Sequence, residues 1–149
     1  MPKKVFDPPI PALRLTGAAF AYLKVAEGCA HRCAYCAIPA IRGKFRSRPL
    51  KSILAEARAL VKTGVKELNI IAQDPMLYGV DFRDGTNLVT LLRALDKIPG
   101  DFWVRVLYSY PSEISDAFLA KKITSVTVST FSPSICHEVM GPDAMVLVF

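Results

Sequence analysis

The sequence has no apolar run that approaches the roughly 18 residues needed by a membrane-spanning helix. Its N-terminal segment is basic, but prolines interrupt it and no apolar stretch follows, so it lacks the pattern of a signal peptide. These absences predict a cytoplasmic protein with no membrane partner. A disordered chain is also excluded, because 52% of the 149 residues are hydrophobic and only 21% are charged.

Cysteine is scarce, and most of it lies in one place. Three of the four cysteines, Cys29, Cys33 and Cys36, have the spacing C-x3-C-x2-C, while the fourth, Cys136, lies far along the chain. This distribution is a poor framework for disulfides. In the cytosol a tight cysteine cluster indicates a metal or redox site instead.

Acidic residues are outnumbered, and the formal net charge is +6. A basic chain permits an acidic partner such as nucleic acid or a ribosomal particle, and a solvated basic surface explains the charge as well. A basic run follows the cysteines directly and consists of Arg42, Lys44, Arg46 and Arg48. It either attracts an anionic cofactor or ribosomal surface or is a solvated loop, and we favour the solvated loop.

Helical and strand patterns alternate along the chain, which predicts an α/β fold with a parallel sheet and right-handed crossovers. Helices are predicted from Leu50, with Pro49 in the first turn and Gly64 at C′, and from Leu88, with Thr86 or Asn87 as the cap. A further helix is predicted over 112–122. The predicted strands are 19–26, 65–73, 101–111 and 123–130. We divide the chain into an irregular leader (1–18), a core (19–128) and an atypical tail (129–149).

Polar residues gather where predicted strands end, which is where sites collect in folds of this class. The cysteine loop follows the first strand, and Gln73 and Asp74 follow the second. Gln73 is either a site residue or a solvated strand end, and Asp74 before Pro75 suits a turn equally well. Arg105 either points into the barrel, where it can pair with a carboxylate, or is a solvated residue of an edge strand.

The cysteine spacing leaves two kinds of metal open. A structural zinc site normally takes four protein ligands, and His31 would have to be the fourth. An iron–sulfur cubane is held by cysteine thiolates, commonly four. Three thiolates would leave one iron without a protein ligand and open to a substrate or cofactor.

The spacing C-x3-C-x2-C after a first strand, with Tyr35 before the last cysteine, resembles the signature of radical S-adenosylmethionine (SAM) enzymes. The resemblance implies a partial TIM-like radical barrel and a [4Fe–4S] cluster whose open iron binds SAM. Cleavage of SAM then gives methionine and a 5′-deoxyadenosyl radical. The segments AYLKVAEGCAHRCAYCAIPAIRGKFRSRP, GVKELNIIAQD, YGVD and WVRVLYSYP further resemble the methylthiotransferase family, which inserts a methylthio group into a C–H bond.

One branch of that family modifies an adenosine of transfer RNA, and the other modifies an aspartate of a small-subunit ribosomal protein. The transfer RNA branch typically has Gly-Gln-Asn after the second strand. This chain has Ala72-Gln73-Asp74, followed by Tyr78-Gly79-Val80-Asp81, which favours the ribosomal-protein branch. The partners implied are that ribosomal protein, a reductant protein and the ribosome itself.

The resemblance also implies roles for single residues. It makes Cys29, Cys33 and Cys36 the cluster ligands, and it leaves the catalytic residues unassigned. The residues that it predicts to bind the cofactor are Tyr35, Ala72, Gln73, Asp74 and Arg105.

The chain departs from the family pattern in two respects. Family members carry a second cluster on three further cysteines, but no cysteine precedes Cys29 here, and the residues after Lys122 do not follow the family sequence. We therefore expect that this polypeptide alone does not complete methylthiolation. An inactive gene fragment and a non-catalytic zinc and nucleic-acid-binding module remain as alternatives.

Overall fold

Six strands and three helices make up the fold in the computed structural model, which describes residue 17, residues 19–109 and residues 126–130. In chain order they are β1 (Phe20–Lys24), β2 (Ala26–Glu27), α1 (Ile38–Arg42), β3 (Arg46–Ser47), α2 (Leu50–Lys62), β4 (Glu67–Ile71), α3 (Leu88–Asp96), β5 (Trp103–Ser109) and β6 (Val126–Thr130), with a 3₁₀ turn at Pro75–Leu77. The helix predicted over 112–122, the leader up to residue 16 and the tail beyond residue 130 lie outside the described residues.

The main sheet has the strand order β1-β4-β5-β6, and all its neighbours are parallel. Its register aligns Leu23 with Ile70 and Ile70 with Val106. Consecutive parallel strands require crossover connections, and α2 and α3 occupy two of them. The predicted α/β fold with a parallel sheet is therefore confirmed.

The hydrophobic core lies between one face of the sheet and the two longer helices. Alternate strand residues point to opposite faces, so every second side chain of the central strands enters the core. The helices contribute the apolar stripes predicted from their 3.6-residue period. The core residues are Ala21, Leu23, Leu68, Ile70, Val104 and Val106 from the strands, Ile53 and Ala57 from α2, and Leu88, Leu91, Leu92 and Leu95 from α3.

The opposite face of the sheet is more polar and more exposed. Tyr22 is 50% exposed there and Trp103 is 47% exposed. Arg105 lies on this face and pairs with Glu67, its Nε standing 3.2 Å from Oε1 of the carboxylate. Trp103 donates its indole N–H to Oε2 of the same carboxylate at 2.8 Å. Arg105 thus pairs with a carboxylate on the face away from the helices, as one of the two predictions for it required.

Both helix boundaries tested by the structure agree with the local signals. Gly64 follows α2 with φ +88°, a conformation that favours glycine, and stands at C′. The side chain of Asn87 caps α3 by accepting a hydrogen bond from the Thr90 amide at 3.0 Å. Pro49 stands one residue earlier than predicted, at the N-cap of α2.

Among the described residues no helix combines the length and apolar character of a membrane span.

The prediction of one continuous first strand over 19–26 is wrong. β1 ends at Lys24, and Ala26–Glu27 pairs with Arg46–Ser47 in a separate antiparallel ribbon. Val25 stands at the change of direction, because its amide still donates to the Ile71 carbonyl while its own carbonyl accepts from the amide of Arg48. β4 is also shorter than predicted, since it runs from 67 to 71 rather than from 65 to 73, and β5 begins at 103 rather than 101. The predicted end of β5 and the predicted start of β6 lie outside the described residues.

The prediction of a solvated basic loop after the cysteines holds for Arg42 and Lys44, which are exposed, but is wrong for Arg48. Arg48 is 1% exposed and donates to Glu56 at 2.7 Å, to the carbonyl of Lys24 at 2.7 Å and to the hydroxyl of Ser52 at 2.8 Å. A buried guanidinium needs such partners, because an unpaired buried charge is strongly destabilising. Arg48 therefore holds α2 to the end of β1 and contributes nothing to an anion-binding surface.

Candidate functional site

The cysteines lie on a long excursion from the sheet, the cysteine loop (residues 28–45). The ribbon formed by β2 and β3 closes the base of this loop. Just above the ribbon, the Cys29 amide donates to the Gly43 carbonyl at 3.3 Å. Gly28 has φ +79°, and a Cβ there would lie 2.3 Å from the Lys44 carbonyl oxygen. The two sides of the loop can approach this closely only because Gly28 has no side chain.

The three cysteines are free thiols of intermediate exposure in the described structure. The amide of Cys36 donates to the carbonyl of Cys33 at 3.0 Å, which turns the chain between them. The amide of His31 points at the Cys29 sulfur, at 3.4 Å. Hydrogen bonds to ligating sulfurs are among the features that tune iron–sulfur clusters. Tyr35, predicted to bind the cofactor, is 91% exposed on the loop.

A histidine–carboxylate pair ties the cysteine loop to the end of β4. His31 Nε2 lies 2.5 Å from Asp74 Oδ2, and Asp74 is fully buried. The other carboxylate oxygen, Oδ1, accepts the Met76 amide at 3.0 Å and caps the 3₁₀ turn. Asp74 is therefore the turn residue that one interpretation of the sequence expected. Sequence reasoning did not anticipate its contact with His31.

Gln73 lies beside this anchor and has an unusual environment. Its Oε1 is buried and finds no hydrogen-bond partner in the described part of the chain. Buried polar atoms are rarely left in this state, and an exception often marks a site that awaits a ligand. Ala72 precedes it and packs against the core. The structure thus brings Ala72, Gln73 and Asp74 together with the cysteine loop.

Arg105 does not join this group. Its guanidinium pairs with Glu67, the first residue of β4, whereas Gln73 and Asp74 follow Ile71, the last. Four residues of strand separate those two ends by about 13 Å. The role of Arg105 in cofactor binding stays a prediction.

The return side of the cysteine loop is held by a network that sequence reasoning missed. Ser47 donates its amide to Asp81 at 2.9 Å and its hydroxyl to the same carboxylate at 2.5 Å. The Gly79 amide donates to the Ser47 hydroxyl at 2.8 Å, and the buried Tyr78 hydroxyl donates to the Arg48 carbonyl at 3.0 Å. The signal in the sequence is the segment Tyr78–Asp81, whose residues also favour the ribosomal-protein branch of the methylthiotransferase family.

The donor set fits an iron–sulfur cluster better than a single zinc ion. Within the described residues no group of three or more His, Cys, Asp and Glu side chains is placed to hold one metal ion. The contact between His31 Nε2 and Asp74 does not decide between the two metals, because a metal-bound histidine commonly has a carboxylate on its other ring nitrogen. In a cubane each thiolate binds a different iron, so three cysteines on one loop do not have to converge on a point.

Comparison with known families identifies the chain. The sequence model of the radical SAM superfamily matches residues 23–142. The chain belongs to the radical SAM superfamily. This match contains the cysteine loop, the end of β4 and the whole of the described sheet except the first three residues of β1.

The similar curated proteins are ribosomal protein uS12 methylthiotransferases named RimO. The one from Pelobacter propionicus is 56% identical over 119 residues, which cover 80% of this chain and 26% of that protein. The one from Geobacter sulfurreducens is 51% identical over 118 residues, and the one from Desulforamulus reducens is 50% identical over 138 residues, or 93% of this chain. The chain described here spans between about a quarter and a third of the length of these relatives. They confirm the resemblance to methylthiotransferases.

Solved structures confirm the fold class. The radical SAM methyltransferase TsrM from Kitasatospora setae, solved with cobalamin and a [4Fe–4S] cluster bound, superposes with a TM-score of 0.58 at 20% identity. The match covers 76% of this chain and 22% of TsrM. A second TsrM structure, with tryptophan and a SAM analogue bound, gives the same TM-score. The partial radical SAM barrel predicted from the sequence is therefore present.

Because the Tyr78 phenol is buried, we expect this region to lose stability as the pH becomes strongly alkaline. Burial raises the pKa of its phenol to about 12 from 10.0, although the Arg48 charge partly offsets the effect. Because the folded-state pKa is raised, the stabilisation is fully present below pH 10 and is lost as the pH rises towards 12. Replacing Tyr78 by Phe should lower the free energy of unfolding by about 1 kcal/mol at neutral pH, through the lost hydrogen bond to Arg48.

Urea unfolding of the wild type and Tyr78→Phe between pH 8 and pH 12 measures this. The difference in stability between the two proteins should shrink and then reverse across that window, since the Phe variant has no phenol to titrate. A constant difference at all pH values would show that Tyr78 does not titrate with folding.

Proposed function

We propose that this chain is the cluster- and SAM-binding module of a methylthiotransferase that acts on an aspartate of ribosomal protein uS12. The observation that carries the proposal is the placement of the C-x3-C-x2-C loop. Its three free thiols lie on one loop, and that loop is tied to the carboxyl end of β4 beside a buried acceptor without a partner. Ligand sites of parallel α/β folds form at this edge of the sheet.

In this proposal Cys29, Cys33 and Cys36 hold a [4Fe–4S] cluster through their thiolates. When bound, the cluster would supply the electron that cleaves SAM, and a reductant protein would supply that electron to the cluster. The protein's own contribution is ligation, orientation and exclusion of water. His31 and Asp74 provide orientation, because their contact fixes the cysteine loop against the strand end.

Gln73 is the residue proposed to bind the methionyl end of SAM. An amino group that gave its lone pair to the open iron would still carry two N–H donors, polarised by the metal, so it would complement a buried amide oxygen that lacks a donor. Ala72 is proposed to form the adjoining part of the same strand-end surface, and Tyr35 an exposed part of the loop. Asp74 contributes indirectly, because both of its oxygens are already engaged within the protein.

The substrate class rests on sequence similarity. The relatives described above are all named as uS12 enzymes, and the strand-end pattern Ala72-Gln73-Asp74 followed by Tyr78–Asp81 agrees with that branch. We propose that the ribosome is the particle that presents uS12 to the enzyme. An adenosine of transfer RNA is the alternative substrate.

The first test is metal content after anaerobic reconstitution with iron and sulfide. We expect about four irons per chain. Replacing Cys29, Cys33 or Cys36 singly by Ala should abolish the cluster absorbance, because each thiolate holds its own iron. The Cys136→Ala variant is the control matched by residue type and should keep its iron. Zinc in place of iron, or equal loss in the Cys136 variant, would contradict the proposal.

The second test concerns Gln73. Spin-resonance spectra of the reduced, iron-loaded chain, recorded as SAM is added, give the SAM affinity. Replacing Gln73 by Leu should weaken binding about tenfold, since hydrogen bonds to charged groups contribute about 1.5 kcal/mol or more. Gln73→Glu retains an acceptor and should bind within a few-fold of the wild type. Equal affinities in all three proteins, at equal iron content, would exclude a contact with SAM.

The third test separates the two substrates without requiring sulfur insertion. Loaded chain, SAM and reductant are incubated with uS12 carrying deuterated aspartate, or with transfer RNA carrying deuterated adenosine. Mass spectrometry then follows deuterium into 5′-deoxyadenosine. We expect transfer from uS12 alone, because hydrogen abstraction needs only the radical module and the correct substrate. Transfer from transfer RNA alone would assign the chain to the other branch.

A further inference from the structure

We propose that Asp81 is a positioning residue for the cysteine loop, and that the segment Tyr78–Asp81 clamps the strand by which this loop returns to the fold. The inference rests on the proposed function, because it concerns the loop that would hold the cluster. It gives the Tyr-Gly-Val-Asp segment a role in shaping the site instead of contacting a substrate.

The carboxylate of Asp81 is committed to one residue. Its Oδ2 accepts the Ser47 amide at 2.9 Å, and its Oδ1 accepts the Ser47 hydroxyl at 2.5 Å. Charge-assisted hydrogen bonds of this kind are stronger than neutral ones and fix geometry when both oxygens bind the same partner. Although Asp81 lies at the surface, this bidentate contact points the carboxylate inward to β3.

Gly79 completes the clamp from the same segment. Its amide donates to the Ser47 hydroxyl at 2.8 Å, so that hydroxyl donates to Asp81 and accepts from Gly79 at once. Gly79 has φ +86°, and a Cβ there would lie 2.1 Å from the Thr86 carbonyl oxygen. The segment is therefore held tightly against the chain that leads into α3, and it offers Ser47 a fixed rather than a mobile partner.

Arg48, the residue after Ser47, is held by three further sets of hydrogen bonds. The Tyr78 hydroxyl donates to the Arg48 carbonyl at 3.0 Å, and the Arg48 amide donates to the Val25 carbonyl at 2.8 Å. The Arg48 guanidinium reaches Lys24 and Glu56. Ser47 and Arg48 together join the loop to β1, to α2 and to the Tyr78–Asp81 segment.

This arrangement sets the position of the first cysteine. Ser47 is paired with Ala26 and Arg46 with Glu27 in the ribbon, and Cys29 follows two residues later with its amide on Gly43. A shift of β3 would carry β2, and with it the Cys29 side of the loop. The cysteines have intermediate exposure, and the loop that carries them is held at this base and by the contact between His31 and Asp74.

The experiment compares Asp81→Ala with Asp84→Ala in the full chain. Asp84 is the matched control, because it lies in the same stretch, carries the same charge and accepts from the amide and the side chain of the nearby Thr86. Amide hydrogen exchange of the iron-free chain reports the clamp without any cluster. We expect exchange over residues 26–48 to accelerate about tenfold or more in Asp81→Ala, with α3 unchanged, and no acceleration there in Asp84→Ala.

Iron release to a chelator, measured on the loaded proteins, provides the second readout. It should be several-fold faster in Asp81→Ala than in the wild type or Asp84→Ala, with an altered change of the spin-resonance spectrum on addition of SAM. Ser47→Ala keeps the net charge and removes the shared hydroxyl. It should reproduce both effects, and the double variant should add little to either single one.

Two results would overturn the inference. One is unchanged exchange over 26–48 in both Asp81→Ala and Ser47→Ala. The other is exchange that rises equally in the loop and in α3, which is the result of a merely structural role. A wild-type chain that takes up no iron would instead contradict the proposed function, and the exchange measurement would still decide whether the clamp exists.

Discussion

The buried guanidinium of Arg48 is the contact on which the rest of this structure depends. It lies at the point where the cysteine loop re-enters the fold, and it joins the end of β1, through the Lys24 carbonyl, to Glu56 of α2. A buried ion pair stabilises a fold only when its remaining hydrogen bonds are satisfied, and the Ser52 hydroxyl supplies one of them. The loop is thereby attached to the first strand–helix unit of the barrel and not only to its own ribbon.

From that junction the cysteine loop reaches two further supports. The Tyr78–Asp81 segment holds its base, and the contact between His31 and Asp74 holds its first part against the chain that follows β4. Both supports come from the stretch that follows β4, so this one stretch holds the loop at two separate points. The three cysteines form no disulfide in the described structure, and the Cys29 sulfur accepts a hydrogen bond from the His31 amide.

The same strand end also presents the acceptor of Gln73, so the loop and the proposed cofactor contact share one support. This shared position agrees with the rule that ligand sites of parallel sheets form at the carboxyl ends of the strands. The polar face of the sheet beyond it, where Arg105 and Trp103 both contact Glu67, has its own internal network. Those contacts join β4 and β5 on the sheet face, apart from the contacts that hold the cysteine loop.

The sequence by itself determined the two longer helices and the strands of the main sheet, and it indicated the chemistry of the loop. Apolar periodicity located the helices, Gly64 and Asn87 marked their ends, and the spacing of the cysteines indicated a cluster, because each of these signals lies within a few consecutive residues. It did not determine the break of the first strand at Val25, the burial of Arg48 or the role of Asp81. Only the tertiary structure decided those, because they depend on pairing between residues that the chain separates widely: 34 positions for Ser47 and Asp81, and 43 for His31 and Asp74. No local pattern records which distant group a charged side chain will meet, since that choice is made by the packing of the strands and helices between them.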